Sequence, residues 1–174
     1  MQSVRVVRKI LLNKEAAMSV EKAKEHLEKY GFGERVRVFE QSSATVELAA
    51  QALGCAPALI AKSLTFSVNG EPIMIVTAGD TKIDNAKYKA EFGAKAKMLS
   101  AEEVDRLIGH SVGGVCPFGI NEGVRVFLDS SLKRFEKVFP ACGSGNTAVE
   151  LSIAELERCS GYEKWIDVCK GAEL

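Results

Sequence analysis

Two stretches of this 174-residue chain could do chemistry. The first is Gly109-His110-Ser111-Val112-Gly113-Gly114-Val115-Cys116-Pro117-Phe118-Gly119, which carries four glycines, one proline and no Lys, Arg, Asp or Glu. Glycine permits close backbone approach and positive φ, and proline fixes φ and removes a donor. A helix-like segment before this loop and a strand-like run after it would hold it at both ends and leave bare backbone N–H groups outward. Such a surface binds an anion or stabilises an oxyanion. A tight connection with no chemistry has the same composition. The second is Lys62. Leu64, Phe66 and Val68 share one face of a strand by the period of two, and Lys62 falls on that same face. Burying its ammonium costs on the order of several kcal/mol unless it is paired or lies in a wet cleft. The alternative is a lysine at the strand's start that snorkels to water.

Other chemistries have less support. His26 sits on a helical surface, and His110 borders the glycine loop. G-x-S-x-G is absent, although Gly143-Ser144-Gly145 is superficially similar. The P-loop and the dinucleotide fingerprint are absent too. Cys116 and Cys142 have no evident base partner, which favours inert buried thiols over a cysteine nucleophile. The five cysteines form an odd set without a C-x-x-C pair, which argues against a disulfide framework and a zinc site. An enzyme built this way works by positioning and backbone hydrogen bonding.

The bulk properties fit one soluble domain. The chain is 47% hydrophobic and 26% charged, with zero net charge, so any contact with nucleic acid must come from a local patch. One such patch spans Lys82 to Lys97, where five lysines face Asp84 and Glu91. It reads as a solvated face or as a surface for phosphates. No apolar run approaches the roughly 20 residues of a spanning helix. Residues 1–17 look like an extension, with an added strand as the alternative, and Ser19 looks like the cap of the first domain helix.

The elements that must position these residues follow from periodicity and turn chemistry. Val20, Ala23, Leu27 and Tyr30 recur at helical spacing before Gly31. Residues 35–40 alternate as a short strand. Hydroxyls at Ser42, Ser43 and Thr45 precede a helix ended by Gly54. Residues 61–68 and 72–77 form two strands joined by the hairpin turn Asn69-Gly70; the second is apolar on both faces and belongs in the middle of a sheet. A helix over 84–92 ends at Gly93. Ser100 and Ser152 each begin a capping box. Strands follow at 124–128 and 137–140, and a second glycine loop spans 141–146. Trp165 packs on the core. A hairpin among interleaved helices and strands excludes a purely parallel doubly wound sheet.

Thr45-Val46-x-x-Ala49, Ile60-Ala61-Lys62-Ser63-Leu64, Gly79-Asp80 and Gly113 through Gly119 follow the order and spacing of the YbaK/EbsC family. The chain resembles that family, which comprises aminoacyl-tRNA deacylases, over about residues 19 to 160. The family in turn is similar to the editing domain inserted in bacterial prolyl-tRNA synthetases. The resemblance implies an α+β fold with a mixed, largely antiparallel, barrel-like sheet flanked by helices, occupying residues 18–174. It implies hydrolysis, in trans and in the cytoplasm, of the ester between a wrong small amino acid and tRNA-Pro. No metal and no cofactor is implied. The expected partners are the mischarged tRNA acceptor end and prolyl-tRNA synthetase, with neither membrane nor DNA. Lys62 stands where the family's essential lysine stands, and its G-x-x-x-P element maps to Gly113 through Pro117. Ala148 stands where some relatives carry Asp, so no role is transferred there.

On that reading the amides of Gly113 and Gly114 stabilise the oxyanion, and Lys62 anchors a substrate oxygen or the terminal phosphate. Ser43, Thr45, Gly79, Asp80, Pro117 and Phe118 line the pocket, and Gly143, Ser144, Gly145 and Asn146 form a second wall. Lys82, Lys87 and Lys89 meet the tRNA. The competing expectations are a binding module that holds tRNA or a synthetase without turnover, and a cysteine-dependent hydrolase on another small ester or thioester.

Overall fold

The structure is a computed structural model that describes residues 2–172, with side chains from Asn13 onward. Met1 and the side chains of the basic and apolar run Val4–Leu12 lie outside the described residues. The first helix, α1 (Gln2–Glu28), runs unbroken through Ser19. Ser19 is therefore not a cap: the residues before it are already helical, and its hydroxyl faces the Gly109 carbonyl at 3.5 Å. The lower half of α1 buries Ala23 and Leu27 in the core, and Gly31 ends that turn with φ +83°.

The remaining elements follow in order: β1 (Arg37–Val38), α2 (Val46–Leu53), β2 (Ile60–Val68), β3 (Glu71–Ala78), β4 (Lys82–Ile83) and α3 (Asn85–Phe92). Then come α4 (Ala101–Glu103), which widens into a π turn over Val104–Ile108, and β5 (Arg125–Asp129). The chain closes with β6 (Lys137–Pro140), β7 (Thr147–Ala148), β8 (Leu151–Ser152), α5 (Ile153–Cys159), β9 (Tyr162–Ile166) and β10 (Cys169–Lys170). Local chemistry explains most boundaries. Thr45 caps α2 and Asp84 caps α3, while Ser100 and Ser152 form full capping boxes with Glu103 and Glu155. Asn69, at φ +51°, makes the tight turn between β2 and β3.

Six strands form one curled half-barrel in the order β8-β6-β2-β3-β5-β9. The sheet is mixed, as expected. The hairpin β2/β3 and the pair β6/β8 are antiparallel, whereas β2/β6, β3/β5 and β5/β9 are parallel. Two short antiparallel pairs, β1/β7 and β4/β10, stand outside it. Alternation sorts the core onto two faces. Met74, Val76, Val126 and Leu128 pack beneath α1 and α5, while Phe66, Ile73, Ile75 and Phe127 pack against Tyr88 of α3. β3 is buried on both sides, which is why its run from Ile73 to Ala78 carries no charge.

Strand β2 is where this sheet is incomplete. On one side it pairs with β3 along its whole length. On the other it meets β6 only at Ile60 and Ala61. It then meets the extended segment 97–99 through two bonds, Leu99 N–H to the Thr65 carbonyl (3.1 Å) and Ser67 N–H to the Lys97 carbonyl (2.8 Å). Between those contacts lies a gap at Lys62, Ser63 and Leu64.

Candidate active site

A cavity of about 270 Å³ opens at that gap. Its floor is the β2 segment Ile60–Thr65. Its sides are the loop Ser43–Thr45 with the first turns of α2, the glycine turn at Val112, Gly113 and Val115, and the pair Met98 and Leu99. Phe139, Ala141, Thr147 and Ala148 close the back. Lys62 is the one charged residue among those that line it.

Lys62 shares its face of the sheet with Leu64 and Phe66. Its ammonium donates to the Thr81 carbonyl. Partial burial holds its pKa below the usual lysine value, and the neighbouring Cys169, Asp80 and Glu47 offset this in part. The position is therefore an ion kept at a net electrostatic cost, which is unusual for a residue with only a structural role.

The glycine loop reaches the cavity through one tight turn. Gly114 N–H donates to the Ser111 carbonyl at 3.0 Å, closing Ser111-Val112-Gly113-Gly114. Gly113 is third in that turn with φ +96°, a conformation that side chains with a Cβ disfavour. Among the described residues nothing accepts from its N–H. Gly114 differs: its amide is spent on Ser111, and its carbonyl accepts from Gly143 N–H at 2.9 Å. A Cβ on Gly114 would stand 2.4 Å from the backbone of Gly143 and Ser144. Gly114 thus joins the two glycine loops and presents no donor to the cavity.

The second loop is a support and not a wall. Gly145 takes a bond from Ser43 N–H (2.6 Å), and Asn146 binds Phe39 through its carbonyl (2.7 Å) and its side-chain amide (2.9 Å). Ser144 donates to Asn146 (2.7 Å). Gly143 to Asn146 therefore hold the Phe39–Ser43 segment in place, while Thr147 and Ala148 supply the wall itself.

Ser43 and Thr45 line the cavity. Thr45 also accepts from Leu48 N–H as the helix cap. The hydroxyl oxygens of Ser43 and Ser63 are covered and have no partner among the described residues. Gly79 and Asp80 lie outside the lining. A Cβ on Gly79 would meet the Pro57 carbonyl at 2.0 Å, so its role is close packing. Asp80 makes a two-pronged ion pair with Arg134 (2.6 and 2.9 Å), and its charge acts on Lys62. Pro117 and Phe118 are buried behind the loop. Lys82, Lys87 and Lys89 are also outside the lining, and Lys87 is engaged by Asp167 (2.9 Å) and the Cys169 carbonyl (3.1 Å).

The other candidates for chemistry are structural. His110 is buried, and its Nε2 donates to the Phe118 carbonyl at 2.7 Å, tying the two ends of the glycine loop. Burial pushes its pKa down, so the ring is neutral at pH 7. Burial likewise pushes Cys116 up to about 12 and raises Cys142 well above its ordinary value. Neither thiol is a nucleophile at neutral pH. Among the described residues no group of three or more His, Cys, Asp and Glu could hold a metal ion. Sequence reasoning missed Ser63, Thr65, Met98 and Val112, because only the gap in strand pairing brings them together.

An apolar cavity on the open edge of a mixed half-barrel, lined by one half-buried lysine and by backbone amides that, among the described residues, have no acceptor, suits a small polar group held by its backbone atoms. Comparison with known proteins makes this specific. The sequence model of the aminoacyl-tRNA editing domain matches residues 40–159, and the chain belongs to that family. It is 51% identical over 157 residues to the uncharacterized protein YwhH of Bacillus subtilis, covering 90% of this chain and all of that one. It is 28% identical over 122 residues to the proline–tRNA ligase of Bacillus licheniformis, covering 70% of this chain but 21% of the ligase. Among solved structures it is similar to one described as a candidate trans-editing enzyme for prolyl tRNA synthetase, with TM-score 0.79 and 29% identity over 88% of this chain and 98% of that one. Among the described residues no helix is long and apolar enough to cross a membrane.

Proposed function

We propose that this protein is an aminoacyl-tRNA deacylase that hydrolyses, in trans, the ester linking a small amino acid to a mischarged tRNA, with tRNA-Pro as the expected carrier. The observation that carries this reading is that half-buried Lys62 and Gly113, whose N–H has no acceptor among the described residues, line the same small cavity. Membership of the editing family and the similarity to a proline–tRNA ligase support the substrate class.

Water attacks the ester carbonyl carbon. The carbonyl oxygen becomes an oxyanion, the bond to the ribose oxygen breaks, and that oxygen leaves as a hydroxyl after taking a proton. Gly113 N–H donates to the oxyanion; one such donor is typically worth about 10²–10³ in rate. Lys62 holds an oxygen of the terminal nucleotide and fixes the carbonyl against the turn. No Asp, Glu or His lines the cavity, so the vicinal ribose hydroxyl relays the proton. Apolar walls at Ala49, Leu99, Val104 and Val115 exclude larger acyl groups by size; one methylene is worth roughly 1–3 kcal/mol of discrimination.

A deacylation panel tests this: alanyl-, seryl- and cysteinyl-tRNA-Pro, each compared with correctly charged prolyl-tRNA. At least one mischarged species should be cleaved well above its uncatalysed rate, with prolyl-tRNA spared. Binding of every species without turnover would replace the hydrolase with a tRNA-holding module.

A further inference from the structure

The gap in β2 has a second chemical consequence. In an antiparallel strand, the N–H and C=O of one residue point to the same side, and alternate residues point to opposite sides. The Thr65 carbonyl and the Ser67 N–H both bond to segment 97–99, so the odd-numbered residues of β2 face away from β3. Ser63 belongs to that set. Among the described residues no backbone bond reaches its N–H or its C=O, since pairing with β6 stops at Ala61 and pairing with 97–99 starts at Thr65. Ser63 also lines the cavity. A donor and an acceptor from one residue therefore stand side by side at an unpaired strand edge, inside the site.

That arrangement has a natural complement. Residues that form a hydrogen-bonded antiparallel pair exchange both bonds with a single partner residue. An aminoacyl ester carries one residue's worth of backbone, an α-ammonium and a carbonyl on the same carbon. We propose, on the deacylase reading given above, that the aminoacyl group adds to β2 as a one-residue strand opposite Ser63. Its α-ammonium donates to the Ser63 carbonyl, and Ser63 N–H donates to its ester carbonyl. Side chains of directly opposed residues lie on the same face of a sheet. The bound amino acid thus directs its side chain to the Ser63 face, where Leu99 and Val104 form the wall. The substrate class is narrowed accordingly to esters with a free α-amino group. α-Hydroxyacyl and N-acylated esters, including peptidyl-tRNA, fall outside it.

The test uses matched ester pairs on the same tRNA: alanyl against lactyl, and seryl against its α-hydroxy counterpart. Each rate is divided by the uncatalysed rate of the same ester, because the ammonium itself activates the carbonyl. A hydrogen bond to a charged group is worth enough for the α-amino member to be accelerated about tenfold or more beyond its partner. N-acetylalanyl-tRNA should not be accelerated at all. Equal acceleration of the amino and hydroxy members overturns the strand-edge assignment and leaves the hydrolase standing. No acceleration of any aminoacyl ester in the wider panel overturns both. Ser63→Pro gives an independent arm. It removes the N–H that faces the gap together with a hydroxyl that has no partner among the described residues, so no ladder bond is lost. It should retain the wild-type circular dichroism and lose deacylation by about tenfold or more; a folded Ser63→Pro protein with full activity refutes the role of that N–H.

Discussion

Replacing Lys62 with methionine keeps the aliphatic stem and removes the ammonium. Two structural effects oppose each other in this variant. The Thr81 carbonyl loses a charged donor, and the protein no longer holds a partly desolvated cation. The direction of the pKa shift bears on the second effect. Burial pulls Lys62 below its ordinary value despite the pull of Asp80, Glu47 and Cys169, so desolvation outweighs pairing. A lysine with a lowered pKa in the folded state is a net cost to folding at neutral pH, and the cost is relieved as pH rises from that lowered pKa towards 10.5. Lys62→Met should therefore leave thermal stability unchanged or raise it. Activity should move the other way. A hydrogen bond from a charged group to substrate is worth about 1.5–3 kcal/mol, which is about 10- to 150-fold in kcat/KM. The assay is single-turnover deacylation at pH 7, run beside a thermal melt of both proteins. A melting temperature lower by more than about 4 °C, the equivalent of 1–2 kcal/mol at this chain length, would make Lys62 a strut for the Thr81 turn. Unchanged turnover would remove it from the reaction.

Three further outcomes follow from the geometry. Gly114→Ala puts a Cβ 2.4 Å from the backbone of the second loop; overpacking of this kind costs about 1–3 kcal/mol, so calorimetry should show a melt lower by several degrees, whereas an unshifted melt would mean the two loops are not in backbone contact. His110 is held neutral by burial; its contribution to stability is complete above pH 6.5 and is lost as pH falls through its lowered folded pKa, and His110→Gln should flatten that part of the stability–pH curve. Native alkylation followed by mass spectrometry should label Cys55 first and spare Cys116, Cys142, Cys159 and Cys169, because those four are buried; rapid labelling of Cys116 with loss of activity would restore the cysteine-dependent reading.

Much of the fold was legible because its signals are short-range. A cap needs a hydroxyl or carboxylate and an amide two or three residues on, so Thr45, Asp84, Ser100 and Ser152 could be read directly. The turn at Asn69-Gly70 and the two-faced apolar run of β3 are equally local. Ser19 misled because its cap signature is real but the residues before it are helical too. Asp80 and Gly114 misled for the opposite reason. Their motifs sit where a site was expected, yet Arg134, far along the chain, pairs with the Asp80 carboxylate, and Gly114 spends its amide on Ser111 within its own turn while its carbonyl is held by distant Gly143.

By itself the sequence determined which segments coil or extend, that the sheet is mixed, and that one lysine lies on an apolar strand face. It also carried the glycine–proline pattern of the editing family. Only the tertiary structure decided which amides remain free. Hydrogen-bond partners between strands and loops are set by long-range pairing, and Ser63 differs from its neighbours in β2 solely because no strand arrives beside it.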